Sequence, residues 1–305
     1  MVRPRGFGPN AQTAASNAFQ QTPDHSPAEL QASVLREFDA MTARLRDVGV
    51  APIVFDDTDV PVKPDAVFPN NWLSLHADGR VFLYPMESAI RREERRLDIV
   101  ESLSTEYGFH VREIVDLSPL ENGGLYLEGT GSMVLDRIDR VVYAALSSRT
   151  HMGALADFAQ RADYDIAAFE ACDDRHIPVY HTNVMMTLGS RFAVLCTEAI
   201  ADADKRGAVV EKLAATGRNV VEITIAQMQR FAGNMLEVEN STGEPLVVLS
   251  QSADEALTPA QRDAISRCGR LLPIDIGTIE RIGGGSVRCM LAEIFLPSQS
   301  IGATT

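Results

Sequence analysis

The chain has 305 residues, 45% hydrophobic and 23% charged, and can bury a sizeable core without help from disulfides or metals. Its 42 acidic side chains outnumber 28 basic ones, giving a net charge of −14. That balance argues against nucleic acid or an anionic membrane as partner, since both need clustered cations; it suits solubility and would also draw in cationic substrates.

The opening Met1-Val-Arg-Pro-Arg5 is followed by no apolar stretch of leader type, and no apolar run nears the roughly 18 residues of a membrane span. A cytoplasmic, reduced protein is therefore expected. Cys172, Cys196, Cys268 and Cys289 are widely spaced and include no Cys-x-x-Cys pair, so neither a disulfide framework nor a zinc site is indicated. No cofactor or metal is expected.

Ser26-Pro-Ala-Glu29 reads as an N-cap, a proline at the first helical position and a capping-box glutamate. Leu30, Val34, Phe38, Met41, Leu45 and Val48 follow at helical spacing. Asn71–Leu75, a turn at Ala77–Arg80 and Val81–Tyr84 form the first hairpin signature. The same pattern recurs at 132–146, 184–195 and 235–249. Between the hairpins, helices are expected over 87–107, 151–162 and 200–216, and a second capping signal, Thr258-Pro-Ala-Gln261, starts another.

The recurrence is phased. Ser132, Asn183, Asn234 and Gly285, at the mouths of successive units, are each 51 residues apart, and Asn71 precedes Ser132 by 61. A fifth unit is expected to run through Met290–Leu296 and pair with the N-terminal strand, closing a ring. The fold class predicted is α/β, one domain over 1–305 of about five ββαβ-like modules around an axis, and not a Rossmann fold. Residues at equivalent mouths then converge: Asn70 and Asn71, Glu128–Gly131, His181–Asn183, Asn234 and Gly283–Cys289.

Cys289 follows Gly283-Gly-Gly285 and Arg288, and a thiol beside an arginine can become a usable nucleophile. The glycines do not form a phosphate loop, because no Gly-Lys-Ser/Thr follows and a strand pattern comes next. His181, just before an apolar strand, is the candidate acid/base, whereas His25, His76, His110, His151 and His176 read as surface. Glu128, between an apolar pair and Gly-Thr-Gly131, could orient His181 as third member of the set, with Glu121 the competing carboxylate. The other three cysteines read as structural.

These segments resemble the guanidino-group-modifying superfamily, the arginine deiminase and amidinotransferase relatives, across nearly the whole chain. The resemblance rests on Leu127-Glu-Gly-Thr-Gly131 with Leu146-Ser-Ser-Arg-Thr150, on His181-Thr-Asn183 and, most specifically, on Gly283–Cys289. Met1-Val-Arg-Pro4 with Asn10, Thr13 and Asn17, and Phe68-Pro-Asn-Asn-Trp72, look like the citrulline-utilisation hydrolase branch. The resemblance implies a five-bladed α/β propeller and a covalent mechanism. Cys289 would attack the planar carbon, His181 would shuttle protons, and Glu128 would bind His181 or the substrate nitrogens. Arg149 would hold an amino acid's carboxylate.

Three departures bear on the substrate. Where deiminases carry aspartates in the corresponding motifs, this chain has Asn71, Asn183 and Gly131. Neutral amides at Asn70, Asn71 and Asn183 both donate and accept hydrogen bonds, which suits an uncharged urea better than a guanidinium. The expected reaction is hydrolysis of citrulline to ornithine, carbon dioxide and ammonia. The alternatives are an arginine deiminase or dihydrolase, an amidinotransferase with an amine acceptor, and, least, a non-enzymatic binding propeller. The expected partner is a small amino acid; whether the chain forms a homo-oligomer stays open.

Overall fold

A computed structural model describes residues 1–13, 17, 19–24 and 26–298, so His25 lies outside the described residues. Helix Pro27–Asp47 begins as its sequence dictates: the Ser26 hydroxyl accepts from the Glu29 amide, and the Glu29 carboxylate accepts from the Ser26 amide. Its stripe of Leu30, Val34, Phe38, Met41 and Leu45 is buried, at roughly 1.5–3 kcal/mol per side chain.

Four three-stranded sheets follow with one plan. They are built from Leu73–Leu75, Arg80–Leu83 and Glu113–Asp116; from Val134–Asp136, Val141–Leu146 and Asp165–Glu170; from Met186–Leu188, Phe192–Leu195 and Asn219–Glu222; and from Leu236–Glu239, Pro245–Ser250 and Arg270–Ile274. In each, the first two strands are an antiparallel hairpin and the third returns parallel to the second. One or two helices make each return: Ala89–Arg92 with Leu97–Thr105, Met152–Ala162, Ala203–Ala215, and Gln251–Ala256 with Pro259–Ser266. The middle strands are buried apolar runs such as Val141–Ala145, as strands covered on both faces require.

Two expectations are corrected. Leu291–Pro297 forms no strand, and Met1–Arg3 pairs with Ile53–Asp57 in place of the C-terminal segment. That segment packs Leu296, Ala292 and Ile294 beside Val2 and Trp72, and its end is held by a backbone bond from the His110 amide to the Pro297 carbonyl at 2.7 Å. The helix expected over 87–107 breaks after Arg92, where Arg91 and Glu94 turn inward as a buried ion pair. Among the described residues, no helix is long and apolar enough to cross a membrane.

Candidate active site

At four module mouths the chain makes a single helical turn before entering its strand or coil: Pro69–Asn71, Gly129–Ser132, Thr182–Met185 and Val287–Met290. The second turn packs against the first and third, and the first against the last. Asn70, Asn71, Glu128, His181, Asn183 and Cys289 lie on or immediately before these turns, whereas Arg149 and Asn234 come from other loops.

His181 is buried with its Nε2 2.8 Å from Glu128 Oε2. Glu128, wholly buried, also accepts from the Glu87 amide at 3.1 Å and lies 3.4 Å from Arg91 Nη1 and 3.6 Å from Arg149 Nη1. Burial alone would raise its pKa, but Arg149, His181 and Arg91 outweigh burial and hold the carboxyl well below its ordinary range. Burial also dominates at His181, pushing its pKa down to about 4 against the pull of Glu128. An ionised carboxylate only accepts, so the imidazole proton belongs on Nε2 and Nδ1 keeps its lone pair.

Cys289 sits in the last turn, 3% exposed. Asn183 Nδ2 donates to its Sγ at 3.5 Å and Asn234 Nδ2 at 3.4 Å, geometry that favours negative charge on sulfur. Asn234 further donates to the Asn183 carbonyl at 2.8 Å and accepts from the Arg288 amide at 3.0 Å. Arg288 does not attend the thiol as the sequence suggested: its guanidinium donates to the Leu291 carbonyl and to Glu293.

Asn71 Oδ1 accepts from Arg91 Nη2 at 3.0 Å, and since arginine only donates, this fixes which way the amide faces. Its Nδ2 is buried without a partner, as is Asn183 Oδ1. Both amide atoms of Asn70 are likewise buried and unpaired, although Asn70 is not in the cavity wall. Arg149 lies 3.3 Å from Glu87 Oε2, donates to the Thr13 carbonyl at 3.2 Å and stacks over Tyr180.

Asn71, Arg149, His181 and Cys289 share one cavity wall, which encloses only about 10 Å³. Clefts of about 320 and 600 Å³ exist elsewhere but contain none of the predicted site residues. Convergent, unpaired buried polar atoms mark the smaller one as the site, whatever its size.

Sequence reasoning missed two buried residues here. Asp65 lines the same cavity; its Oδ2 accepts from Asn10 at 2.7 Å and lies 3.5 Å from Arg91 Nε, while Oδ1 has no partner. Arg91 joins Glu94 through two 2.9 Å bonds and ties Asp65, Asn71 and Glu128 together. Burial pushes Glu94 up to about 7 in spite of that pairing. The only signal in the sequence was the Arg91/Glu94 spacing inside the helix expected over 87–107. Glu121 is elsewhere, paired with Arg95 at 2.8 Å. His76, expected at the surface, is buried: Ser74 Oγ holds its Nε2 at 2.7 Å, Phe82 packs on its ring, and burial lowers its pKa to about 3.

The α/β fold is that of the guanidino-group-modifying hydrolase superfamily, and the chain is a member of it. Residues 3–296 match the family described as N,N dimethylarginine dimethylhydrolase, eukaryotic, and the chain belongs to that family. It is thus related to enzymes that hydrolyse carbon–nitrogen bonds. No curated protein matches the sequence. Among solved structures, it is similar to the apo form of ArgZ, an arginine dihydrolase from the ornithine–ammonia cycle in cyanobacteria (TM-score 0.73, 16% identity). That match covers 98% of this chain but 41% of ArgZ, so the chain spans about two fifths of that protein's length. The N-terminal domain of ArgZ bound to product matches over 97% of this chain and 98% of its own, with a TM-score of 0.71 and 17% identity. A dimethylarginine dimethylaminohydrolase carrying an adduct with S-methyl-L-thiocitrulline matches over 95% and 96%, with a TM-score of 0.62 and 15% identity.

Proposed function

We propose that the protein hydrolyses the ureido carbon of citrulline, as the citrulline-utilisation branch does, giving ornithine, carbon dioxide and ammonia. Cys289 is the nucleophile. His181 Nδ1 takes the thiol proton, and Glu128 holds the ring through Nε2. Sulfur adds to the ureido carbon, and the proton held by His181 goes to the departing ammonia. Water, deprotonated at Nδ1, then adds to the thiocarbamate; the C–S bond breaks, the proton returns to sulfur, and the released carbamate loses carbon dioxide to leave ornithine. Asn183 and Asn234 hold charge on sulfur before attack and after release. Asn70 and Arg149 belong to the substrate's surroundings, Arg149 near its carboxylate.

The orientation of Asn71 carries the substrate choice. With Oδ1 held by Arg91, it offers the cavity only N–H donors. A ureido group has a carbonyl oxygen to receive them and N–H groups for Asp65 Oδ1 in the cavity wall, with Asn183 Oδ1, unpaired beside Cys289, a further acceptor near it; a guanidinium has no acceptor at all. Asp65 favours the second reading, an arginine dihydrolase or deiminase, because an ionised carboxylate suits a cation, and arginine dihydrolases are among the structural neighbours.

The five-bladed arrangement and the single catalytic domain over 1–305 are part of the proposal. They are supported by four sheets of one plan and by the 51-residue phase. The test is incubation with citrulline, arginine and methylated arginines. Ornithine and ammonia from citrulline support the reading; citrulline accumulating from arginine or a methylated arginine overturns it, as does product formed only with an amine acceptor.

A further inference from the structure

The helix Gly277–Gly283 leads directly into the loop that carries Cys289, and it buries one carboxylate, Glu280. Each Glu280 oxygen accepts one serine hydroxyl at 2.5 Å: Ser286 at Oε1 and Ser252 at Oε2. Ser252 is in turn 3.0 Å from Ser250 Oγ. Two short bonds to an ionisable acceptor are among the stronger holds a buried side chain can make.

Ser286 immediately precedes the turn Val287–Met290. A serine in that position usually turns its hydroxyl onto the second or third amide of the turn. This one makes no such cap. The Arg288 amide donates to Asn234 Oδ1, the Cys289 amide donates to the Ser286 carbonyl at 2.9 Å, and the hydroxyl is left to Glu280.

The intervening Gly283–Gly285 have no side chains to fix them, so their geometry depends on outside holds. On one wall these come from Tyr180 Oη to the Gly284 carbonyl, Asn17 Nδ2 to the same oxygen at 3.2 Å, and Gln20 Nε2 to the Gly283 carbonyl at 3.2 Å. Asn17 and Gln20 also line the cavity, whose 10 Å³ must widen to admit any amino acid. The Glu280–Ser286 hold lies outside that wall.

We infer that Glu280 is a positioning residue for Cys289: through Ser286 it fixes the start of the cysteine turn, keeping Sγ on the Asn183 and Asn234 amides. The inference rests on Cys289 being the nucleophile.

The test compares Ser286→Ala, Glu280→Ala and Glu280→Gln by kcat, KM, thermal unfolding and the rate of iodoacetamide reaction at Cys289, with Cys172 as internal reference. Displacement of a reacting group by about 1 Å can cost on the order of 100-fold. Ser286→Ala and Glu280→Ala should each lower kcat at least about tenfold with KM within about twofold, and change Cys289 alkylation at least about threefold. Glu280→Gln should recover most of the loss, since its carbonyl still accepts from Ser286 and its amide can donate to Ser252. The double variant Ser286→Ala/Glu280→Ala should be no worse than Glu280→Ala. The inference is overturned if Ser286→Ala keeps kcat and alkylation within about twofold of wild type, if Glu280→Gln is as impaired as Glu280→Ala, or if losses only follow the unfolding temperature. Should Glu280→Ala not fold, Ser286→Ala, which removes one hydroxyl, decides. Full turnover in Cys289→Ala would instead sink the nucleophile assignment, while alkylation in the Ser286 variant still reports the hold.

Discussion

Asn71 and Gly131 fit one another: a β-carbon at position 131 would overlap Asn71 Nδ2 and stand 2.8 Å from His181 Nδ1. The glycine is therefore a condition for Asn71 to reach the cavity with His181 beside it. Two of the departures from the deiminase pattern are in direct contact and act as one. Gly131→Ala should fold, since residue 131 is helical and its φ is negative, but should displace both side chains. A fall in kcat/KM of about 100-fold or more, with the circular dichroism of the wild type, is the expected result. Unchanged kinetics would mean that the two side chains yield without consequence.

Asn71→Asp exchanges the cavity's donor for an acceptor. Sites built to hydrogen-bond one group discriminate strongly against ligands that leave it unpaired, so citrulline kcat/KM should drop about 100-fold or more. Guanidino substrates should gain relative to citrulline, because the new carboxylate can accept from them. Competition assays with citrulline and arginine in one vessel give the ratio. A ratio that moves toward citrulline would contradict the assigned orientation of the Asn71 amide.

Cys289→Ser should abolish turnover, as a hydroxyl lacks the thiol's nucleophilicity at neutral pH. Mass spectrometry of the wild type quenched during turnover should show an adduct on the peptide containing Cys289 and none on peptides with Cys172, Cys196 or Cys268. An adduct on another cysteine would relocate the chemistry.

The hairpins were legible because strand alternation and turn residues are local signals, and the 236–250 pair lies where its pattern predicts. The site was legible through phase: Asn183 and Asn234, 51 positions apart, are joined by a hydrogen bond. Asp65 and Arg91 carried no phase. Their burial follows from partners distant in the chain, Asn10 for Asp65 and Asn71 and Glu128 for Arg91, and no local pattern encodes that. The missing strand near 291–296 failed for a similar reason, since a strand-like sequence cannot report that the N-terminal strand pairs with Phe55–Asp56, a partner the pattern did not mark. His76 was misread because a histidine before a polar turn looks exposed until Ser74 and Phe82 close over it.

That misreading leads to a prediction about stability. Burial lowers the folded-state pKa of His76 to about 3 and of His181 to about 4, from 6.5. Between pH 4 and 6.5 the unfolded chain therefore binds protons at these two positions that the folded chain does not. The unfolded state gains as pH falls, and stability rises with pH across that window. Glu94 has the opposite sign: its pKa, raised to about 7 from 4.5, makes the folded chain the better proton binder between those values. The Met1 amino group, lowered by burial to about 5 from 8.0, acts with the histidines, and Glu280, raised by burial, acts with Glu94; three groups against two leave a net rise in stability from pH 4.5 to 6.5. His76→Gln, which can still reach Ser74, removes one of the three favourable contributions without touching the cavity. Urea unfolding at pH 4.5, 5.5 and 6.5 should show the variant's stability climbing less steeply than that of the wild type. The difference can reach about 1.4 kcal/mol per pH unit, the linkage of one proton. Parallel slopes would mean that His76 titrates in the folded chain as it does in water, and that the network around Ser74 opens to solvent.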